Sequence, residues 1–472
     1  MLTRTSTQSL TGQLADRLAE RIRTRLLPPG ARLPSVRECA RQQGVSPYTV
    51  VAAYDQLLAQ GLVEARRQRG FYVRDSAPVQ DQRAPANAAP LAKPMMASRV
   101  PADASSLIRS MFHRPSDKPQ PGMGLFPPDW MTSTFMPTAV RRMTSTAALQ
   151  ELSLQYGEPA GDMGLRRSLS QKLVGINVPA SPDQIITTIG ATHALDVVSR
   201  TLLRAGDPVM VEEPGWALEF ARLEALGMRI LPVPRRADGP DLEVMAQYCK
   251  LHSPKLFVSV SVLHNPTGYS LTPGSAHRVL KLANEYDFHI VEDDTYSHLA
   301  PEHATRLSAL DGLQRTIYVS GFAKILAPNW RIGFLAAPPA LKERMLETKL
   351  LATLTSPTLF ERALSWCIDQ GQLRRHSERV RIRLDGARAR TVKLAMSHGC
   401  TFASEPAGLF GWVDTGVDTD AMTQRMLDEG YLLAPGSLFH ARRPPSTMMR
   451  INFATSQDAT FWKVFSKVRS EL

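Results

Sequence analysis

Five short apolar runs, "DPVMVEEP", "MRILPVP", "KLFVSVS", "FHIVEDD" and "TIYVSGF", alternate with amphipathic stretches of helical period between residues 207 and 322. That alternation is the strongest constraint on the fold. Runs of this length, each followed by a helix, predict a mostly parallel sheet covered by helices. The chain has 472 residues, too many for one compact core, so at least two domains are expected. No internal repeat is visible.

Within this α/β region one charge is out of place. Lys324 stands in "VSGFAKILAPNWRIGF", between apolar runs on both sides. A lysine is rarely taken inside unless something pairs with its charge or uses its amine. In open α/β sheets, ligands sit beyond the carboxyl ends of the strands. Three polar residues occupy that position: Asn265, Asp293 and Lys324.

Together they match the needs of pyridoxal phosphate. Its aldehyde needs a lysine amine, and its ring nitrogen needs a carboxylate to hold it protonated. Its phosphate suits amides at a helix start together with an arginine. "TTIGATHALDVVSRTLL" supplies the helix start, and Arg331 is the candidate arginine.

The first 75 residues differ in composition. They hold twelve arginines, no lysine and six acidic residues, a net +6 that is half of the chain's +12. Guanidinium binds phosphate bidentately, so an arginine-only basic segment suits a nucleic-acid backbone. Leu10, Leu14, Leu18, Ile22 and Leu26 form one helical stripe. "PPGARLP" ends that helix, Ser35 and Glu38 form a capping box for a second, and Ser46-Pro47 opens a third. "LVEARRQRGFYV" reads as two strands around a basic tip. Three helices and a basic hairpin make a winged helix-turn-helix.

Between them, residues 76–122 are Pro- and Ala-rich without strand or helix period, as expected of a linker. About 40 residues reach on the order of 130 Å when stretched. The expected domains are therefore 1–75, the linker 76–122, and 123–472, with about 340–472 as a smaller C-terminal subdomain. The four cysteines lack metal-ligand spacing, so no metal is expected. No secretory h-region or membrane span is evident, and a cytoplasmic protein is expected.

"PPGARLPSVRECARQQGVSPYTVVAAYDQLLAQGLV" resembles the GntR family of bacterial transcription factors. The resemblance implies contacts to double-stranded operator DNA from Arg32, Arg37, Ser46, Tyr48, Thr49, Arg67, Arg69 and Gly70. Pro47 and Val51 stand where many relatives carry arginine, which shifts the expected readout toward Arg37 and the wing.

Residues from about 125 onward resemble fold-type I aminotransferases, through "QYGEPAG", "EEPGW", "HNPTG", "DDTY", the Lys324 segment and "MRINFA". The resemblance implies Lys324 as the Schiff-base lysine and Asp293 on the ring nitrogen. Asn265 and Tyr296 would hold the phenolic oxygen, and Trp216 would stack on the ring. Gly190, Ala191, Thr192 and Arg331 would hold the phosphate, with Tyr156 reaching in from a partner subunit. Arg450 would clamp a substrate carboxylate. Gly321 and Ala323 replace hydroxyl residues that this family often has before the lysine.

The combination resembles the MocR/GabR-type regulators. It implies a homodimer with crossed DNA-binding heads, sensing an amino acid or amine by aldimine exchange at Lys324. A catalytically active aminotransferase with an appended DNA-binding domain is the alternative.

Overall fold

The computed structural model describes residues 9–23, 27, 29–66, 69–74, 116–144, 149–150 and 154–472. The chain divides into two compact units, Met1–Arg114 and Pro115–Leu472.

In the first unit, α1 (Leu10–Arg23) buries Leu14 and Leu18 from the expected stripe. Leu10 and Ile22 flank them half-buried, and Leu26 lies outside the described residues. The second helix, α2 (Val36–Gln43), starts at Ser35, whose side chain accepts the Glu38 N–H at 3.3 Å, and stops at Gly44 in the left-handed region. Only this half of the expected box is recorded. The Glu38 carboxylate accepts instead from the Gln42 amide, at 3.4 Å. Helix α3 (Pro47–Ala59) starts at Ser46 and buries Val50, Ala53, Tyr54 and Leu57. Each large apolar side chain buried here contributes roughly 1.5–3 kcal/mol over leaving it in water.

Strands β1 (Val63–Arg66) and β2 (Gly70–Val73) pair antiparallel, with Arg66 opposite Gly70. The segment "GARL" also pairs with β2. Leu33 N–H donates to the Phe71 carbonyl and Val73 N–H to the Ala31 carbonyl, each at 2.9 Å. A stretch that reads as a loop thus becomes a third edge of the wing, because β2 otherwise presents unpaired backbone groups.

The second unit is built on a seven-stranded sheet. Its strands are β3 (Ile185–Thr188), β4 (Pro208–Glu213), β5 (Arg229–Pro234), β6 (Leu256–Ser259), β7 (His289–Asp293), β8 (Thr316–Gly321) and β9 (Gly333–Ala336). Their order is β3-β9-β8-β7-β6-β4-β5. All run parallel except β9, which is antiparallel to both its neighbours. The sequence pattern did not announce β9, since four residues opening on glycine carry too little period to read.

Successive side chains alternate between two buried faces along the central strands, as a sheet covered on both sides requires. Val209, Val211, Val258, Val291, Ile317 and Val319 face one core, beside helices Ala191–Leu202 and Pro339–Thr353. Met210, Phe257 and Ile290 face another, beside helices Leu242–His252 and Pro273–Glu285.

A second sheet, antiparallel, contains β10 (Thr401–Phe402), β11 (Phe410–Asp414), β12 (Ala434–Pro435) and β13 (Met448–Asn452), in the order β10-β11-β13-β12. Residues 76–115 of the expected linker lie outside the described residues. Its last part, residues 116–122, packs onto this second sheet: Gly122 N–H donates to the Leu432 carbonyl at 2.8 Å, and Asn452 N–H to the Pro121 carbonyl at 2.9 Å. Among the described residues no helix is long and apolar enough to cross a membrane, and no cluster of His, Cys, Asp or Glu is set to hold a metal ion.

Candidate functional site

Strand β7 ends in three consecutive carboxylates, and their settings separate them. Glu292 is buried and accepts the N–H groups of Leu307 and Ser308, at 2.7 and 2.8 Å, with the Ser261 hydroxyl also bonded to it. Asp294 is buried against Arg306, whose Nε donates at 2.6 Å, and Tyr318, whose hydroxyl donates at 2.9 Å. Those two hold the sheet to the following loop. Asp293, between them on the other side of the strand, is half-buried and bonded only to its own turn, through the N–H (3.0 Å) and hydroxyl of Thr295. Burial pushes its carboxyl up to about 6, against those hydrogen bonds. The solvated acidic turn that three acids in a row suggest is therefore not what forms.

Lys324 follows β8 by three residues, and its Nζ donates to the Gly124 carbonyl at 3.0 Å. Burial brings its amine down to about 8, with the Arg450 cation adding to the fall and Asp293 opposing it. Asp293 and Lys324 share one site because β7 and β8 are parallel neighbours, with Asp293 opposite Val319.

Asn265, six residues beyond β6, accepts from Arg450 Nη1 at 3.1 Å. Tyr296 is buried, hydrogen-bonded to Asn265, and its ring meets Phe410 edge-on at 5.6 Å. Arg450 comes from β13 of the second sheet and is 1% exposed. Its Nη2 donates to the Gly122 carbonyl at 2.6 Å. Its guanidinium carbon lies 4.3 Å from the Phe410 ring centre, 5.2 Å from Phe439 and 5.3 Å from Trp216. Its Nε is buried without a partner. Burial lowers the guanidinium to about 10, so it stays charged near neutrality.

The turn after β3 makes a cup. Gly190 (φ 84°) precedes helix Ala191–Leu202; the His193 and Ala194 amides donate to the Gly190 carbonyl, at 3.2 and 3.3 Å, and the amides before them, of Ala191 and Thr192, have no partner within the helix. Arg331 Nη2 donates to the Ile189 carbonyl at 3.1 Å. A Cβ on Gly190 would stand 2.8 Å from that guanidinium, and one on Gly333 would stand 2.4 Å from the Gly190 backbone. Close approach of β9, the turn and Arg331 requires glycine at both positions. Gly321 belongs to the same packing: a Cβ there would lie 3.3 Å from the Ala191 nitrogen. Ser320 turns away, donating to the Asp294 carbonyl at 2.9 Å.

Gly190, Ala191, Thr192 and Arg331 thus form one wall, and Lys324, Asp293, Asn265, Tyr296 and Arg450 form a linked set. Trp216 caps helix Ala217–Ala225 and stands over Arg450. Tyr156 is 80% exposed, and among the described residues no hydrogen bond or ring contact joins it to this set. The sequence did not signal the carbonyls of Gly122 and Gly124, which lie at the edge of the expected linker. It also did not signal Thr295, Phe410 or Phe439, whose roles depend on what folds against them.

On the small unit, Arg32, Arg37, Ser46, Tyr48 and Arg69 are exposed and Thr49 is half-buried. Tyr48 is 82% exposed. The hydroxyls of Ser46 and Thr49 are bonded to each other at 2.8 Å, so both serve the start of α3. Arg32 runs beside Gly70 (φ 100°), where a Cβ would stand 3.5 Å from its Nε. Arg67 lies outside the described residues.

Residues 128–467 match the family model for aminotransferase class I and II. The chain belongs to that family. Residues 10–73 match the bacterial regulatory proteins of the gntR family. An uncharacterized HTH-type transcriptional regulator of Escherichia coli, YdcR, is 27% identical over 450 residues, covering 94% of each chain. A probable rhizopine catabolism regulatory protein of Rhizobium meliloti, MocR, is 29% identical over 375 residues, 78% of this chain and 73% of the relative. The crystal structure of a Pyrococcus horikoshii kynurenine aminotransferase is 26% identical with a TM-score of 0.70, over 78% of this chain and 94% of that one.

A gntR-type DNA-binding domain joined to an aminotransferase domain is the architecture of the MocR/GabR-type transcriptional regulators. The cofactor of this aminotransferase family is pyridoxal 5'-phosphate, and the residues present fit it. The glycine cup leaves first-turn amides and Arg331 for a phosphate, Asp293 is not taken up by a structural cation, and Lys324 offers an amine. The unpartnered Nε of Arg450 marks the place of a further acceptor.

Proposed function

We propose that this protein is a cytoplasmic transcriptional regulator that senses a small amino acid or amine at the Lys324 site and responds on operator DNA. The observation that carries the reading is the convergence of Lys324, Asp293, Asn265 and Arg450 at one end of the sheet, in a chain that also carries a winged helix. When bound, pyridoxal phosphate supplies an aldehyde that reacts reversibly with amines.

In this reading Lys324 attaches the cofactor, aided by burial that keeps a fraction of its amine neutral near pH 7. Asp293 holds the ring nitrogen's proton, and Asn265 and Tyr296 donate to the phenolic oxygen. Trp216 covers the ring, while Gly190, Ala191, Thr192 and Arg331 bind the phosphate. Arg450 takes the carboxylate of an amino-acid effector, because its orphaned Nε and its aromatic cage leave it short of an acceptor. Tyr156, with Leu154 also 80% exposed beside it, belongs to a homodimer face where it meets the partner's phosphate.

Arg32, Arg37, Tyr48, Arg69 and Gly70 meet DNA, with Ser46 and Thr49 holding the start of α3, and Arg67 completing the wing. The linker lets each head reach across to the partner's side. An effector then acts by differential affinity for two arrangements of the heads.

The test is a titration of two-half-site and single-half-site operator DNA, with and without effector, in wild type and Lys324→Ala. Two-site DNA should respond 5- to 150-fold, the usual range of allosteric coupling, and the single site much less. Equal responses, or a full response without the lysine, would refute sensing through this site. A second reading, an active aminotransferase, is favoured by the completeness of the Lys324 constellation. Steady-state turnover with a keto-acid acceptor separates the two.

A further inference from the structure

A cavity of about 460 Å³ lies outside the Lys324 constellation and uses none of its residues. It is bounded by the end of helix Met163–Val174, the turn Ser297–Leu299 and the start of helix Gln372–Ser397. Its size falls in the range of small-molecule sites, about 300–1,000 Å³.

Two donors on different walls have no acceptor among the described residues. Ser377, 8% exposed, has a buried hydroxyl without a partner. Lys172 is half-buried and, among the described residues, makes no side-chain hydrogen bond or ion pair; Asp294 and Glu302 act on it only through space. Burying the Ser377 hydroxyl without an acceptor is costly, so an acceptor-bearing guest that also meets the Lys172 amine is the simplest completion. Arg374 and Arg381 add two more cations to the lining, and Glu302 and Glu378 two carboxylates. The excess is one positive charge, which favours an anion. Mixed signs at the mouth favour one of modest size over a long polyanion.

The same cavity touches the machinery from behind. Ser297 and His298 line it. Ser297 follows Tyr296 directly, donates its N–H to the Asp294 carbonyl at 3.1 Å, and has its hydroxyl 3.5 Å from that of Ser320. The His298 ring stands 5.3 Å from Phe322, two residues before Lys324. A guest here bears on both segments that carry the cofactor site.

We infer a second ligand site, at Lys172 and Ser377, for a small carboxylate of amino-acid or dicarboxylate size, coupled to the Lys324 site through the turn 297–299. The coupling, though not the site itself, rests on the cofactor reading above.

The experiment is calorimetric titration of the full chain with succinate, and separately with inorganic phosphate. Succinate should bind saturably, tenfold or more weaker to Lys172→Met and measurably weaker to Ser377→Ala. A saturable phase should persist in Arg450→Lys and Lys324→Ala, where any succinate held at the Lys324 site is lost. Melting curves establish that each variant is folded, and the exposed Arg374→Gln gives a variant with little risk to the core, expected to weaken binding severalfold. Unchanged affinity in all three cavity variants, or complete loss of saturable binding in Arg450→Lys, would overturn the site. Phosphate binding as tight as succinate and weakened alike by Lys172→Met would overturn the carboxylate assignment. Succinate should also change the affinity for pyridoxal phosphate by fivefold or more in wild type and not in Lys172→Met; equal affinities would refute the coupling. Failure to attach cofactor at Lys324 would count against the cofactor reading alone, since succinate binding at Lys172 does not depend on it.

Discussion

The two units use arginine in opposite ways. On the winged helix, Arg32, Arg37 and Arg69 stand in solvent. In the large unit Arg450 is 1% exposed, bounded by three aromatic rings, and still lacks one acceptor. Exposed cations act additively on a polyanion by displacing its counterions, so each matters modestly and salt matters much. A buried cation has already lost its water, so one well-placed carboxylate matters a great deal and salt hardly at all. In the proposed function, the contrast separates a surface that reads a polymer from a pocket that reads one molecule.

The sharpest way to break this contrast is at Lys324. Lys324→Ala should abolish covalent attachment of pyridoxal after borohydride reduction, with melting behaviour close to wild type; mass spectrometry showing the adduct on another lysine would displace the site. Next in size is pH. The attacking form of Lys324 is the neutral amine, and with the amine brought down from 10.5 to about 8 that form dominates only above pH 8. Each unit below costs about a factor of ten, so attachment at pH 6 should run roughly a hundredfold slower than its plateau, followed by absorbance. A profile still rising tenfold per unit through pH 9, as for an amine left at 10.5, would contradict the buried setting.

Arg450→Lys should raise the half-saturating concentration of a carboxylate effector tenfold or more, because an ammonium cannot reproduce the planar fork. Ligand-free DNA affinity should stay as it was. Arg37→Ala should weaken specific operator binding by about 1–3 kcal/mol and relax preference at one base, if the contact is bidentate to guanine. The smallest effect is expected at Arg69→Ala: a nearly uniform loss over all sequences, with the salt slope reduced by about one. Were Arg450→Lys salt-sensitive and Arg69→Ala not, the division of labour between the two units would be reversed.

Much of this was legible beforehand, for identifiable reasons. Helices α1 to α3 announce themselves by their leucine spacing, by Ser35 and Ser46, and by Gly44, all of which act over three or four residues. Strands β4 and β6 to β8 are largely buried apolar runs, and the edge strand β5 is an apolar run of similar length, so all five can be recognised without a tertiary partner. β9 escaped because four residues carry no period. "GARL" escaped because its pairing with β2 is a relation between segments. The separation of Glu292, Asp293 and Asp294 into structural and available carboxylates could not be read from "VEDD" either. It depends on where Arg306, Ser308 and Tyr318 arrive.

By itself the sequence determined the two-part organisation, the parallel α/β core, and the residue types that an aldehyde cofactor and an operator would require. These follow from local periodicity, capping and composition, which each segment carries alone. Only the tertiary structure decided that residues 116–124 close over the site, that Arg450 reaches it from a different sheet to meet Asn265, and that Lys172 and Ser377 share a cavity. Those outcomes join residues up to some 330 positions apart. Their partners are chosen by which faces the helices and sheets must bury together, and that choice exists only once the whole chain has packed.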